Sequence, residues 1–517
     1  MNRKPLYAPH GAVATSQPLA ASAGLAVLRR GGNAVDAAIA TAVTLTVVQP
    51  GSNGIGGDLF AIVWDGTTLH GLNASGRSPA ALTLDRARAM TPRGWLPVTV
   101  PGAPAGWRDL HARFGRLPFA DLFDDAIGYA ADGYPVSPRV AYHWQRAAAL
   151  HATLRGPEFA EWAGVYTRDG RVPVAGEVFR NPAAAGTLQL IAESEAEEFY
   201  RGEIAVAVAE YAAATGGLLT KEDLARHASI WVEPIRAGYR GYDVWELPPN
   251  GQGIAALQAL ALLDGVDLSA MPAERRRHWQ VEAMKLAFAD AHAYVADPDT
   301  WPVPVAELQS AEYLSRRRAL IGETAAVPRP GEPTRGGTVY LCAAHQDGQM
   351  VSLIQSNYQG FGSYVTVPGY GFGLQNRGAG FSLEPGHPNV AAGGKRPFHT
   401  IIPGFLTRAG RPVGPFGVMG AHMQPQGHLQ VIMSTVDDGL DPQAALDAPR
   451  WYWPAGLHLH VEPALGTAAV EALRRRGHEV TVDDSDVYGY GQAIWCLPGG
   501  GYVAGSEPRA DGAAVGY

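Results

Sequence analysis

Apolar positions in the first part of the chain recur at helical spacing from Leu19 to Arg30, and Gly31-Gly32 stops them. Asn33 can cap a second helix, Ala34 through Val47, in which Ala, Val, Thr and Leu leave no polar face. A helix that is apolar all round is buried. Pro50 ends it, and the Gly-rich stretch GSNGIGGDLF follows over residues 51 to 60. A strand at Ala61 to Trp64 and a turn at Asp65-Gly66 complete this α/β beginning. The Gly-rich loop follows a helix rather than a strand, so it does not fit a dinucleotide or phosphate loop. It is either a place of tight backbone packing or a wall of an active site.

Residues 105 to 325 are richer in helix: FADLFDDAIGYAADG and HWQVEAMKLAFADAHAYVAD carry apolar residues three and four apart. No heptad, repeat period or low-complexity tract appears. Residues 323 to 337, ETAAVPRPGEPTRGG, then read as a linker or exposed loop, with three prolines and three glycines. Immediately beyond it the pattern becomes strand, TVYLCAA, a turn at Asp347-Gly348, then MVSLIQS. Asp-Gly between apolar runs is a hairpin signal. A loose segment thus leads straight into a buried strand, with Thr338 at the junction. From there to Tyr517 short strands, Gly/Pro turns and a few helices alternate, which predicts a layered sheet fold with helices on its faces.

Composition narrows the classes. A chain of 517 residues with 46% hydrophobic and 17% charged residues can bury a large core. A net charge of -8 and a pI near 6.1 argue against nucleic acid or an anionic membrane as the partner. No stretch approaches the roughly 18–20 apolar residues of a membrane span, and the first residues lack the continuous apolar run of a secretory signal. The expectation is a cytoplasmic protein. Cys342 and Cys496 form no metal-ligand spacing with His, so two reduced thiols, no metal and no organic cofactor are expected.

The junction permits a specific chemistry. A hydroxyl on Thr338 can attack the carbonyl of Gly337, and Gly leaves that carbonyl uncrowded. Hydrolysis of the resulting ester frees an amine on Thr338. Such an amine titrates near pH ~8 and can serve as base for its own hydroxyl. Taken alone, Gly-Thr at the start of a strand is weak support.

Larger blocks surround it. GGNAVDAAIATAVTLTVVQPGSNGIGGDLF lies near the start, VPGAPAGW at 100 to 107, and YGFGLQNRGAGFS at 370 to 382. KRPFHTIIP follows at 395 to 403, GLDPQAALDAPRW at 439 to 451, and SEPRADGAAVGY at the end. With TVYLCAAHQDG placing Thr338 nine residues before Asp347, these blocks resemble the γ-glutamyltranspeptidase family of N-terminal-nucleophile hydrolases over nearly the whole chain. The resemblance implies a precursor cut between Gly337 and Thr338 into fragments 1–337 and 338–517. The fragments would fold together as a four-layer αββα sandwich, compatible with a homodimer of such pairs. It implies that Thr338 is the nucleophile, that Ser356 orients its amine or hydroxyl, and that Gly420 and Ala421 offer backbone N–H groups to an oxyanion. The family has two glycines there, and Ala still donates its N–H.

The pocket departs from the family. A γ-glutamyl donor carries a carboxylate and an ammonium, which an Arg fork and an acid grip. Ser75 stands where the family has the Arg, with Arg77 two residues away. Gly380 stands where the acid falls, Arg377 replaces a Gln, Tyr358 an Asn, and His399 and Thr400 a pair of serines. An acid is lost and a cation gained, so the substrate-binding set Arg77, Tyr358, Arg377, His399 and Thr400 should favour an anionic acyl group without an ammonium. Only AAGG separates FSLEPGHPNV from KRPFHT, where larger members insert a covering loop, so an open site favouring hydrolysis is expected. The small-molecule amide is then a γ-glutamyl compound such as glutathione, or an oxamate or glutaryl-type amide such as a cephalosporin side chain. A catalytically silent binding protein is the alternative from another class.

Overall fold

The computed structural model describes residues 3–328 and 337–517. Most of the expected 323–337 linker therefore lies outside the described residues. The strands of the two main sheets are β1 (Leu6–Ala8), β2 (Gly11–Thr15), β3 (Asp58–Trp64), β4 (Leu69–Asn73), β5 (Ile230–Val232), β6 (Ile235–Tyr239) and β7 (Tyr242–Glu246). They continue with β8 (Gly337–His345), β9 (Met350–Tyr358), β10 (Gly404–Arg408), β11 (Arg411–Met419), β12 (Tyr490–Cys496), β13 (Tyr502–Ser506) and β14 (Ala513–Gly516). One sheet has the order β14-β2-β8-β9-β3-β4-β5, the other β1-β13-β12-β11-β10-β7-β6.

Period-two alternation decides what each sheet buries. In β3, β8 and β9 one set of side chains, Leu59, Ala61, Val63, Val339, Leu341, Val351 and Leu353, packs against helices α1 (Pro18–Arg29) and α2 (Ala34–Val48). The alternate set, Phe60, Ile62, Trp64, Tyr340, Cys342 and Ile354, meets Phe405, Met419 and Ile494 of the facing sheet. Behind that second sheet lie α3 (Gly253–Leu263), α4 (Ala273–Tyr294) and α5 (Met423–Val436), packed through Leu257, Leu260, Met284, Phe288 and Ile432. The result is helix, sheet, sheet, helix, with strands buried on both faces.

Local signals account for the elements nearest the site. Every residue of α2 is buried, as its lack of a polar face requires. Asn33 and Asp36 form a reciprocal capping box at its start, with bonds of 2.9 and 3.0 Å. The hairpin at Asp347-Gly348 joins β8 to β9 in antiparallel register. Two expectations change. The strand after the Gly-rich loop begins at Asp58, not Ala61, because Asp58 pairs with Ser356 as the first rung of the β9–β3 ladder. The helical middle also contains β5, β6 and β7, three short strands that supply edges to both sheets. Cys342 and Cys496 are both free thiols.

The Gly-rich loop proves to be tightly packed and a wall of the site at once. A Cβ on Gly57 would stand 2.8 Å from the Ser356 carbonyl oxygen. The Gly57 carbonyl accepts from both Gly102 N and Ala103 N at 2.9 Å, which ties VPGAPAGW to the base of β3.

Candidate active site

Alternation places Thr338, Ser356 and Asp58 on the inter-sheet side of three neighbouring strands, in phase with Tyr340, Ile354 and Phe60. All three are fully buried. Pairing runs from Gly337 with Tyr358 to Val339 with Gln355, so the register shifts by one residue at Thr338. A bulge of this kind re-aims a side chain at the end of a strand. Thr338 Oγ1 and Ser356 Oγ are 2.9 Å apart. Ser356 Oγ also accepts from Tyr358 N at 2.8 Å, which holds Tyr358 at a φ of 72°. A bulky residue in that region is strained and needs surrounding contacts to keep it there.

From Tyr358 the contacts run on into a buried polar cluster. The Arg377 guanidinium stacks over the Tyr358 ring at 4.3 Å. Its Nη1 donates to Thr400 Oγ1 at 2.8 Å, and its Nε is 3.7 Å from Asp58 Oδ2. Nε and Nη2 have no hydrogen-bond partner among the described residues, although Arg377 is fully buried. His399 Nε2 donates to Asp58 Oδ2 at 3.0 Å, while its Nδ1 accepts from Ile401 N at 3.3 Å. Burial pushes the Asp58 carboxyl up to about 7, with Arg377 opposing. Burial draws Arg377 down to about 10, with Asp58 opposing. Burial and Arg377 together hold His399 well below the usual histidine range, so its ring is neutral.

The turn after β11 closes the other side. Gly420 has φ 134° and Ala421 φ 52°. The chain swings there from strand to α5, where Met423 N bonds Gly420 O at 2.9 Å. A Cβ on Gly420 would meet Gly489 Cα at 3.1 Å and Met423 Cβ at 3.2 Å, so Gly is required by conformation and by space. Gln252 couples this turn to the pocket wall: its Nε2 donates to Thr400 O at 2.7 Å and to Ala421 O at 2.8 Å. Backbone donors at a turn opening a helix suit a developing oxyanion. Outside the turn lies a cavity of about 490 Å³, whose wall includes Gly420, Arg93, Arg146, Phe361 and Tyr364.

Thr338, Ser356, Tyr358, Arg377, Thr400, Gly420 and Ala421 are thus joined by one run of contacts. Arg77 is a correction. Its guanidinium is held by Asp297 at 2.9 Å, by Asp299 and by Gly394 O, so two acids keep it out of this cluster. Both ring nitrogens of His399 are used inside the protein, and it reaches the cluster through Asp58. A second correction concerns charge. The pocket retains an acid, Asp58, contributed by β3 rather than by the 377–380 turn where Gly380 stands. Asp58, Gln252 and Asn250, which bonds Asn73 and Pro397 O at 2.8 Å, went unread. Their signal was a polar residue at the edge of a run otherwise apolar, GGDLFAIVW and NGQGIAALQALALL.

One group of described residues brings metal-type donors together: His278, Glu282 and His478. Lys285 Nζ, 2.8 Å from Glu282 Oε1, already supplies the cation there. Lys285 also donates to Ala326 O at 3.0 Å, and His278 bonds Gly322 O at 3.1 Å. The group therefore fastens the segment that leads into the linker.

Comparison with known proteins bears on this geometry. The sequence model described as gamma-glutamyltranspeptidase matches residues 20–517. The chain is 35% identical to the glutathione hydrolase-like YwrD proenzyme of Bacillus subtilis, over 96% of this chain and 97% of that protein. It is 35% identical to the oxamate amidohydrolase proenzyme of Klebsiella pneumoniae, over 98% of each. Among solved structures, the cephalosporin acylase from Bacillus halodurans superposes with a TM-score of 0.97 at 51% identity, covering 100% of this chain and 97% of that one.

Proposed function

The chain belongs to the gamma-glutamyltranspeptidase family, and from that premise we propose that it is a self-processing amidohydrolase with Thr338 as nucleophile. The observation that carries this reading is the 2.9 Å contact between Thr338 Oγ1 and Ser356 Oγ at a strand bulge directly after Gly337. In processing, Thr338 Oγ attacks the Gly337 carbonyl carbon, a C–O bond forms, and the C–N bond to Thr338 breaks. Water then cleaves the ester, releasing Gly337 as a carboxylate and Thr338 as an amino terminus. In turnover the amine takes the hydroxyl proton as Oγ attacks a substrate amide, and passes a proton to the departing amine. The Gly420 and Ala421 N–H groups serve the oxyanion. Water attacks the acyl-Thr338 ester and frees the acid. The proenzyme names of two relatives support the processing step.

The acyl group is proposed to end in a carboxylate that docks on the two open N–H groups of Arg377. A planar fork with unused donors in a buried site is made for such a group. This covers the γ-glutamyl acyl group and its ammonium-free counterparts. The pocket favours the latter, since Gly380 offers no acid and Asp58 is engaged within the protein. The names oxamate amidohydrolase and cephalosporin acylase among the relatives accord with that preference.

A denaturing gel tests the first part. Two fragments, one about twice the other, should appear for the native sequence, and a single band of 54.7 kDa for Thr338→Ala. Two fragments from Thr338→Ala would overturn the assignment. The second part is tested with p-nitroanilides: glutaryl should be cleaved faster than γ-glutamyl, and the reverse order would refute the pocket argument.

A further inference from the structure

Asp58 is the only carboxylate within 4 Å of the Arg377 guanidinium among the described residues. It is fully buried and directly opposite Ser356. Each of its oxygens already accepts a hydrogen bond inside the protein. Oδ1 accepts from Gly76 N at 3.4 Å, and Oδ2 accepts from His399 at 3.0 Å. An ammonium on the substrate would have to displace these donors and lie beside Arg377. A substrate carboxylate needs only the free Arg377 donors, but it brings a second negative charge into a site shielded from water. Two carboxylates around one guanidinium, both ionised, are disfavoured in a buried site.

We propose that Asp58 is a specificity-determining counter-ion, which takes up one proton when a substrate carboxylate docks on Arg377. The proton comes from solvent and rests on a carboxylate oxygen of Asp58. The site then holds one cation and one anion before and after binding, with Asp58 exchanged for the substrate as the partner of Arg377. An acyl group with its own ammonium gains nothing from this exchange, since it carries no net charge. The inference rests on the carboxylate-terminated substrate proposed above.

The groups facing Asp58 support this assignment. Arg377 comes from the 377–380 turn, and Arg396 and His399 from the segment before β10; Tyr200, from the short helix Glu197–Tyr200, is affected by its charge. His399 has its ring proton on Nε2 and is neutral, so it can donate to Asp58 in either charge state. Burial leaves Asp58 with a proton affinity near neutrality, at about 7, where a change of partner can switch it. The Thr338 amine freed by processing is the other group near the site that titrates around pH ~8.

Calorimetry of the processed enzyme with glutarate, in buffers of differing ionisation enthalpy, reads the proton directly. Uptake should approach one proton per glutarate at about pH 8 and fall towards zero at about pH 6. The dissociation constant should rise about tenfold per pH unit above about pH 7. In Asp58→Asn, glutarate should still bind, with the uptake gone and the affinity flat over the same range. Glutarate bound at pH 8 without proton uptake would overturn the inference and leave the proposed substrate class intact. Uptake that survives Asp58→Asn would assign the proton to another group, the Thr338 amine first, and overturn it as well. Glutarate bound at no pH would overturn the substrate class and this inference together. Should Asp58→Asn fail to process itself, fragments 1–337 and 338–517 expressed together supply the Asp58→Asn comparison with its Thr338 amine in place.

Discussion

Thr338 and Ser356 meet through their hydroxyls at 2.9 Å although 18 residues separate them in sequence. The β8–β9 hairpin brings them level, and the register shift after Gly337 turns Thr338 toward its partner. Ser356 in turn stands opposite Asp58 on β3, so Thr338, Ser356 and Asp58 form one row across three strands. Tyr358 and Arg377 extend the row to Thr400, and Gln252 joins Thr400 to the Gly420-Ala421 turn.

Ser356→Ala should slow both self-cleavage and turnover while leaving the fold intact. The lost contacts include one hydroxyl pair and the acceptor for Tyr358 N. Removing such a buried partner costs about 1–3 kcal/mol, hence about five- to 150-fold in rate. Fragment appearance over time on a gel, and kcat of the processed enzyme, measure the two effects. Unchanged kinetics in both would remove Ser356 from the machinery.

Arg377→Gln should lower kcat/KM on a glutaryl amide by about a hundredfold, mostly through KM, because a bidentate charged contact is lost. On a butyryl amide of the same leaving group, which has no terminal carboxylate, the loss should be under about fivefold. Arg377→Lys should not restore the glutaryl rate, since an ammonium lacks the planar fork that stacks on Tyr358 and reaches Thr400. Equal losses on both substrates would show that Arg377 shapes the pocket without reading the carboxylate.

Gln252→Ala should reduce kcat more than it raises KM. It strands the Thr400 and Ala421 carbonyls, and it frees a turn in which Ala421 is held at φ 52°. Donors to an oxyanion act through placement, and losing one costs about a hundred- to a thousandfold. Loosening the turn without deleting a donor should cost about tenfold or more. A rise in KM at constant kcat would place Gln252 in substrate binding instead.

Much of this was legible in the sequence because each element carried its own local signal. Gly31-Gly32 and Asn33 bounded α1 and α2, and Asp347-Gly348 marked the hairpin that presents Thr338. The Gly420-Ala421 turn and Arg377 came from motif resemblance. The missing part was long-range. Nothing local distinguishes Arg77, held by Asp297 and Asp299, from an arginine free to reach a ligand. Asp58 fell inside the Gly-rich stretch 51–60, and its meaning depends on Ser356, Arg377 and His399, which are distant in sequence. Gln252 lies just ahead of the apolar helix α3, with no local sign of its role. Its two acceptors lie 148 and 169 residues away.

Asp58 also makes a prediction about stability, whose sign follows from burial. Its carboxyl titrates at about 7 in the folded protein against 3.8 as its ordinary value. Between these limits the native state binds the proton more tightly than the unfolded chain does. Stability therefore falls, through this group, as pH rises from about 4 to about 7, and stays at the lower level above that. Arg377 softens the loss without reversing it, since desolvation is the larger influence on Asp58. Asp58→Asn cannot ionise and lacks the slope. The melting temperature of Asp58→Asn should therefore match the native protein near pH 4.5 and exceed it by about 2–5 °C at pH 8. Comparing the two proteins at each pH cancels other buried acids that shift the same way, Glu246 and Asp290 among them. If the native protein is instead the more stable of the two at pH 8, Arg377 outweighs burial and Asp58 is a conventional ion-pair partner.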